Sequence, residues 1–227
     1  MFGGKTVCPA VIRMSYGAGV NAAAQHSQSV YSMLTSIPGL KVVMPTTPAD
    51  AKGLLTTAIR GSDPVIFMEH KALYASRGEV PDGEHLVPFG QARMVREGGD
   101  VTIVTCGRMV SVSSMAAEAL SKEGVQCDVI DLRTTSPLDE DTILDSVEMT
   151  GRLVVVDESS PRCSLAADIT ALVAEHAFSS LKAPPQLVTS PHTPIPFARE
   201  LERAYLPDET KIAAAVQRAV SYRSGAA

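Results

Sequence analysis

The chain of 227 residues is long enough for one large or two small domains, and its 45% hydrophobic content can bury a core. Its formal net charge of −5 and its lack of basic runs argue against a nucleic-acid-binding surface, and no segment has the length of a signal peptide or a membrane span. Cys8, Cys106, Cys127 and Cys163 are widely spaced without a CxxC pair, which predicts reduced thiols, so we expect a soluble cytoplasmic protein.

The first predicted unit is a strand, a glycine-containing loop and a helix. Residues 9–14 (PAVIRM) form a short β-branched run of strand type. Downstream, Val30, Leu34 and Ile37 recur at helical spacing. Between them, residues 17–29 (GAGVNAAAQHSQS) run from a glycine turn into a polar cluster. The chain is organised around this loop.

The polar cluster consists of Gln25, His26, Ser27 and Gln28, near the predicted start of the helix. Unpaired N–H groups and the positive end of the helix dipole lie there, which suits an anionic or polar ligand. A lone histidine is also common as a hydrogen-bonded structural residue, and Ser27 and Gln28 are ordinary residues for a first helical turn. The pattern alone leaves both interpretations open.

Strands and helices then alternate. Residues 41–45 and 64–69 are predicted strands, and the helix between them, 49–60, has a hydroxyl at its N-cap, Pro48 at its first position and Gly61 at its end. Strands that alternate with helices of about a dozen residues indicate right-handed βαβ units and a parallel sheet. The predicted class is α/β.

In residues 70–88, glycines and prolines interrupt the alternation of strands and helices. This interruption predicts a linker at 76–88, which separates a first domain of residues 1–75 from a second domain of residues 89–227. The second domain is predicted as a complete three-layer α/β unit, whereas the first, with three strands and two helices, is not. Its predicted strands are 89–96, 101–106, 127–132, 153–156 and 186–189, and its predicted helices are one that ends at Lys122, 139–147, 164–178 and 211–223.

Nucleotide-binding glycine motifs are absent from the sequence. There is neither a GxGxxG nor a P-loop, since Gly17-Ala18-Gly19 is followed by no third glycine. Gly107 and Arg108 follow the strand 101–106, where an open α/β sheet binds ligands or partners at its topological switch point. At this position Arg108 is equally consistent with a residue that binds an anion and with a solvent-exposed residue at the tip of a loop.

Six motifs resemble the β subunit of the thiamine-diphosphate-dependent E1 component of 2-oxo acid dehydrogenase complexes. They are AQHSQS (24–29), IPGLKVVMP (37–45), DAKGLL (50–55), DPVIFMEHK (63–71), DLRTTSPLD (131–139) and TPIPFA (193–198). The resemblance covers the whole chain. Within the family, residues 69–71 and 156–164 are most similar to acetoin dehydrogenase β subunits, with pyruvate dehydrogenase β next.

The resemblance implies a pyrimidine-binding domain followed by a transketolase C-terminal-type domain. It also implies an α2β2 heterotetramer, in which thiamine diphosphate lies between the subunits and the α subunit holds its diphosphate and magnesium. The implied reaction decarboxylates a 2-oxo acid or cleaves acetoin, and transfers the acyl group to the lipoyl arm of the E2 acyltransferase. His26 matches the family's active-site histidine, which stabilises the intermediate and orients that transfer. Some members bind a structural potassium ion through backbone carbonyls, at positions that match Ala10, Ala58, Ile59 and Asp63.

Family members continue upstream of the segment that Met1 enters, and that part holds the glutamate that pairs with the cofactor's aminopyrimidine. No acidic residue precedes Asp50 here, so no cofactor-binding residue is assigned. We therefore expect the chain to correspond to the last two-thirds of a β subunit and to be inactive alone. Two alternatives stay open: a non-catalytic assembly module that contributes subunit contacts only, and a flavodoxin-like domain that binds a small anion.

Overall fold

The computed structural model describes residues 3–223, which form two β-sheets flanked by helices. The outermost ends of the two predicted domains, residues 1–2 and 224–227, lie outside the described residues. None of the helices in the described range is long and apolar enough to cross a lipid bilayer.

The elements of the first half alternate as predicted. They are β1 (Val11–Tyr16), α1 (Ala23–Ser27), α2 (Tyr31–Thr35), β2 (Lys41–Val43), α3 (Pro48–Arg60), β3 (Val65–His70) and a 3₁₀ turn (Lys71–Leu73).

The second half contains six strands and five helices within the described range. They are β4 (Arg93–Arg96), β5 (Val101–Thr105), α4 (Arg108–Lys122), β6 (Cys127–Asp131), β7 (Thr134–Ser136), α5 (Glu140–Thr150), β8 (Leu153–Asp157), α6 (Leu165–His176), β9 (Gln186–Thr189), α7 (Arg199–Tyr205) and α8 (Glu209–Ser221).

The second sheet has the strand order β4-β6-β5-β8-β9, and its pairs are parallel except for β4 with β6. Every residue of β5, β6 and β8 is buried, because helices cover both faces of the sheet. Val101 and Ile103 pack with α4 and α8, whereas Val104 packs with α5 and α6. This arrangement confirms the predicted α/β class.

The first sheet has the order β1-β3-β2-β7, in which β1 and β2 are parallel to β3. Its last strand, β7, comes from the second half of the chain and runs antiparallel to β2. Val65 and Phe67 of β3 pack on α3, while Ile66 and Met68 join the core that also contains α5 and α6. The two halves therefore share one sheet and one core.

The predicted helix after the glycine loop is wrong in its extent. The structure has two short helices, α1 and α2, because Gln28 is extended at φ −62° and ψ 135°. Tyr31, which begins α2, is buried and donates a hydrogen bond to Asp157 in the second half. A tertiary contact that local sequence cannot show thus fixes the break.

Four charged side chains join the two halves beside β7. The Arg133 guanidinium lies 2.9 Å from Asp50 on α3, and the Arg93 guanidinium lies 3.1 Å from Asp131 and 3.7 Å from Asp50. Both carboxylates are buried. Burial raises the pKa of Asp131 to about 6, and the Asp50 charge adds to that shift while Arg93 opposes it.

Because the pKa of Asp131 is raised in the folded state, its contribution to the free energy of unfolding should decrease as the pH rises. The folded state holds the Asp131 proton up to about pH 6, whereas an unfolded aspartate loses it near pH 3.9. The Asp131 contribution is therefore fully present below about pH 4 and is lost as the pH passes 6, by up to about 3 kcal/mol.

We expect Asp131→Asn to remove this pH dependence in urea unfolding measured from pH 4 to pH 7.5. Asp145→Asn, at an exposed site on α5, is the matched control and should keep the wild-type profile. An unchanged profile in Asp131→Asn would show that other groups cause the dependence.

Candidate functional site

A cavity of about 670 Å³ lies between residues 28–36 and the loop that follows β8. Its wall combines hydroxyl groups and apolar side chains with the buried carboxylate of Glu158 and the side chains of Arg162 and His192. The hydroxyls belong to Ser29, Ser32, Ser36, Ser159, Ser160, Thr193 and Tyr205. Such a wall suits a polar ligand or a polar surface of a partner.

Glu158 is the centre of the hydrogen bonding at this cavity. Its Oε1 accepts hydrogen bonds from the N–H of Ala18 at 2.6 Å and from the Ser29 hydroxyl at 3.5 Å. Its Oε2 lies 2.7 Å from Nε2 of the buried His70. Because Nδ1 of His70 accepts the N–H of Ala72, the ring hydrogen belongs on Nε2, which donates to Glu158. Donors from the first half thus compensate a buried charge of the second half.

The chain itself fills the switch-point crevice of the second sheet. This crevice lies at the carboxyl ends of the adjacent strands β5 and β8, which lead into Gly107 and Glu158. A Cβ on Gly107 would lie 2.1 Å from the Tyr16 hydroxyl, and one on Gly17 would lie 2.2 Å from Nε2 of His70. The end of β1 therefore occupies the place where a free domain of this type would bind a ligand.

Asp157, the last residue of β8, links the start of α2 to the start of α6 through hydrogen bonds. Its carboxylate accepts hydrogen bonds from the Tyr31 hydroxyl, from the Ser159 N–H at 2.8 Å and from the Ala166 N–H at 3.0 Å. Burial and the Asp157 charge raise the pKa of Tyr31 well above its ordinary value, so the phenol stays protonated and acts as the donor. Asp157 is thus held by neutral donors.

His26 lies in the last turn of α1, not at a helix N-terminus as predicted. It is exposed, and it does not line the cavity, although Gln28 and Ser29 do. Ser27 is fully buried, and the Gln28 amide donates back to the carbonyl of Ala24. The helix-dipole argument for an anion at His26 is therefore wrong, and its catalytic role stays a prediction.

Arg108 is the first residue of α4, whose N-cap Gly107 has a φ of +57°. A Cβ on Gly19 would lie 2.1 Å from Nη1 of Arg108, so the guanidinium packs directly on the glycine loop. Arg108 is half-buried, which excludes a freely solvated tip. It lines a second cavity of about 670 Å³ together with Asn21 and Glu202.

The residues of the predicted potassium site lie near the start of the first sheet. The carbonyl of Ala10 accepts the Val65 N–H at 2.8 Å, and the carbonyl of Ala58 accepts the Gly61 N–H at 3.3 Å. Ile59 is exposed, and Asp63 pairs with Lys41 at 3.3 Å. Among residues 3–223, no group of three His, Cys, Asp or Glu side chains could hold a metal ion. The potassium site stays a prediction.

Sequence patterns did not identify four of the residues that connect the two halves, which are Tyr16, His70, Glu158 and Glu202. One signal could have found three of them. Tyr16 ends β1, His70 ends β3 and Glu158 follows β8, and the carboxyl ends of parallel strands form the functional edge of an α/β sheet. Glu202 lies on α7, a helix that was not predicted.

Comparison with known families gives two matches along the chain. The family model of the transketolase pyrimidine binding domain matches residues 1–77, and that of the transketolase C-terminal domain matches residues 90–212.

Curated relatives are similar over nearly the whole chain. The β subunit of acetoin:2,6-dichlorophenolindophenol oxidoreductase from Cupriavidus necator is 58% identical over 96% of this chain, and its Bacillus subtilis counterpart is 52% identical over 93%. The pyruvate dehydrogenase E1 β subunit of Rickettsia felis is 44% identical over 98% of this chain. The chain spans 64%, 62% and 68% of the lengths of these three relatives.

A solved structure entitled split gene transketolase, inactive beta4 tetramer, superposes with a TM-score of 0.77 at 23% identity. The match covers 93% of this chain and 66% of that chain. At this level of identity the likeness shows the fold alone.

Proposed function

Because the chain belongs to the family of E1 β subunits, as its motifs predicted, we propose that it acts with an α subunit in a thiamine-diphosphate-dependent E1 enzyme. This enzyme decarboxylates a 2-oxo acid or cleaves acetoin and transfers the acyl group to the lipoyl arm of an E2 acyltransferase. The observation that carries the proposal is the 58% identity to an acetoin-oxidising relative over 96% of the chain, which favours acetoin as the substrate.

The described residues do not fit the activating end of the cofactor. Thiamine diphosphate needs a carboxylate beside its aminopyrimidine, and no acidic residue precedes Asp50 in the sequence. The buried glutamates near the glycine loop, Glu158 and Glu202, already accept hydrogen bonds from the chain's own N–H groups. We therefore assign no cofactor-binding residue, and the proposed α subunit would hold the diphosphate and its magnesium.

His26 is the residue of this chain that we propose to act on the reacting atoms. Its imidazole is exposed at the end of α1, so no part of the described chain covers it. An imidazole both accepts and donates a proton near neutral pH, which a residue that assists acyl transfer requires. A second β subunit completes the proposed heterotetramer.

The test compares two proteins, each produced with the cognate α subunit. One is the 227-residue chain, and the other is a hybrid in which this chain replaces the matching segment of the Cupriavidus necator relative, whose remaining residues are kept. We expect the hybrid to reduce dichlorophenolindophenol with acetoin, in a reaction that depends on thiamine diphosphate and on α. The 227-residue chain by itself should bind the cofactor no tighter than about 1 mM, or about −4 kcal/mol.

A hybrid that assembles with α by size-exclusion chromatography but does not turn over acetoin or a 2-oxo acid would contradict the proposal. That result would favour the non-catalytic assembly module. Turnover by the 227-residue chain with α would instead show that the chain and α complete the site.

A further inference from the structure

We infer that Glu158 and Glu202 are positioning residues, which hold the glycine loop (residues 17–22) and thereby set the place of His26. The two glutamates lie in the second half of the chain, whereas the loop and α1 lie in the first. The inference rests on the proposed function in one respect, because His26 has a catalytic role only there.

The contacts are direct, and both carboxylates are buried. Glu158 accepts the Ala18 N–H at 2.6 Å, and Oε2 of Glu202 accepts both the N–H of Asn21 at 2.9 Å and its Nδ2 at 3.0 Å. Glu158 is 5% exposed and Glu202 is 2% exposed. Hydrogen bonds to ionised groups are stronger than neutral ones, and burial excludes the water that would compete for them. The two carboxylates therefore clamp the loop near both of its ends.

The loop has a backbone conformation that needs such a clamp. Gly17 and Gly19 have φ values of +90° and +97°, Asn21 has a φ of +55°, and Ala23, the first residue of α1, has a φ of +56°. Alanine in the left-handed region costs about 1–2 kcal/mol, so this path persists only where surrounding contacts fix it.

Helix α1 does not hold itself in place. It has five residues and no side-chain cap at its N-terminus, which is far below the length at which a helix is stable alone. His26 is in its last turn, five residues after Asn21. The position of the imidazole therefore depends on the loop that precedes α1.

A lysine completes the electrostatics of the clamp. Lys71 follows His70, and its ammonium group is buried without a hydrogen-bond partner among the described residues. Burial lowers the pKa of Lys71, and the carboxylates of Glu158 and Glu202 oppose that shift. A positive charge that interacts with both glutamates reduces the cost of burying them, although it forms no ion pair within 4 Å among the described residues.

The first test uses the 227-residue chain without any partner. We expect Glu202→Ala to increase amide hydrogen exchange in residues 17–27 by about tenfold or more, with exchange in β5, β6 and β8 unchanged. In the NMR spectrum, the His26 resonance, assigned by its loss in His26→Ala, should move while that of His176 stays in place.

Two further variants separate positioning from general destabilisation. Only Oε2 of Glu202 bonds to the loop, and Oε1 is buried without a partner among the described residues, so Glu202→Gln keeps a neutral acceptor toward Asn21 and should recover part of the exchange protection and part of the His26 shift that Glu202→Ala loses. Glu200→Ala removes an exposed charge from the same helix and is the matched control, with no effect expected at residues 17–27. Wild-type exchange and an unmoved His26 resonance in Glu202→Ala would overturn the inference.

The catalytic consequence is measured in the α-containing hybrid by a double-mutant cycle. Glu202→Ala should lower kcat about tenfold when His26 is present and by less than about twofold in a His26→Ala background, because both changes remove the same contribution. Equal effects in the two backgrounds would show that Glu202 does not act through His26. Loss of all turnover in the unsubstituted enzyme would contradict the proposed function, while the exchange and NMR results would still decide the positioning role.

Discussion

His26→Ala is expected to lower kcat of the α-containing hybrid by about a hundredfold, or about 2–3 kcal/mol of barrier. The side chain is exposed at the end of α1, and its removal leaves no unpaired buried group, so the effect should fall on the reaction and not on folding. Acyl transfer to a lipoyl domain is the step to measure, together with the melting temperature of the β chain.

His176→Ala is the matched control, because His176 is also exposed in the last turn of a helix but lies on α6. It should leave both kcat and the melting temperature unchanged. Wild-type acyl transfer in His26→Ala would show that the family's histidine role does not apply to this chain.

Asp157→Ala is expected to cost about 3 kcal/mol of unfolding free energy, because it leaves two buried donors without an acceptor and removes one of the two acceptors of a third. The two donors are the Tyr31 hydroxyl and the Ala166 N–H, and the third is the Ser159 N–H, which keeps the Tyr31 oxygen as an acceptor. The substitution therefore weakens the connection between α2 and α6, although the Ser32 hydroxyl still accepts the Leu165 N–H at 3.0 Å. Urea unfolding followed by circular dichroism measures the loss.

Two further variants provide the comparison for Asp157→Ala. Tyr31→Phe removes one of the donors and keeps the ring, so it should cost about 1 kcal/mol. Asp145→Ala removes an exposed carboxylate from α5 and should change little. If Asp157→Ala were no more destabilising than Asp145→Ala, water would have replaced the carboxylate at no cost.

The elements predicted best are those whose signals are local. Helix α3 begins at Pro48 behind its predicted hydroxyl cap, Thr47, whose side chain accepts the N–H of Asp50. Strand β9 has the predicted bounds, Gln186–Thr189. Periodicity, capping and glycine stops act within a few residues, so the chain's own pattern reveals them.

The elements that were missed depend on distant partners. β7 has three residues and is a strand because it pairs with β2. α7 is a short helix, in which Glu202 bonds to Asn21 across a long sequence separation. The flavodoxin-like alternative is wrong, because both halves match transketolase-type domains. The crevice where such a free domain would bind a small anion is filled by the first half of the chain.

The sequence by itself determined the α/β fold class, the order of most elements and the family, since the hydrophobic period and the short motifs each depend on residues that are close together in the chain. Only the tertiary structure decided where His26 lies and which residues hold it. Ala18 and Glu158 are 140 positions apart, and Asn21 and Glu202 are 181 apart. No local pattern encodes such pairs, because they form only when the two sheets pack together. Packing excludes water, so each buried carboxylate then accepts hydrogen bonds from the protein donors that face it.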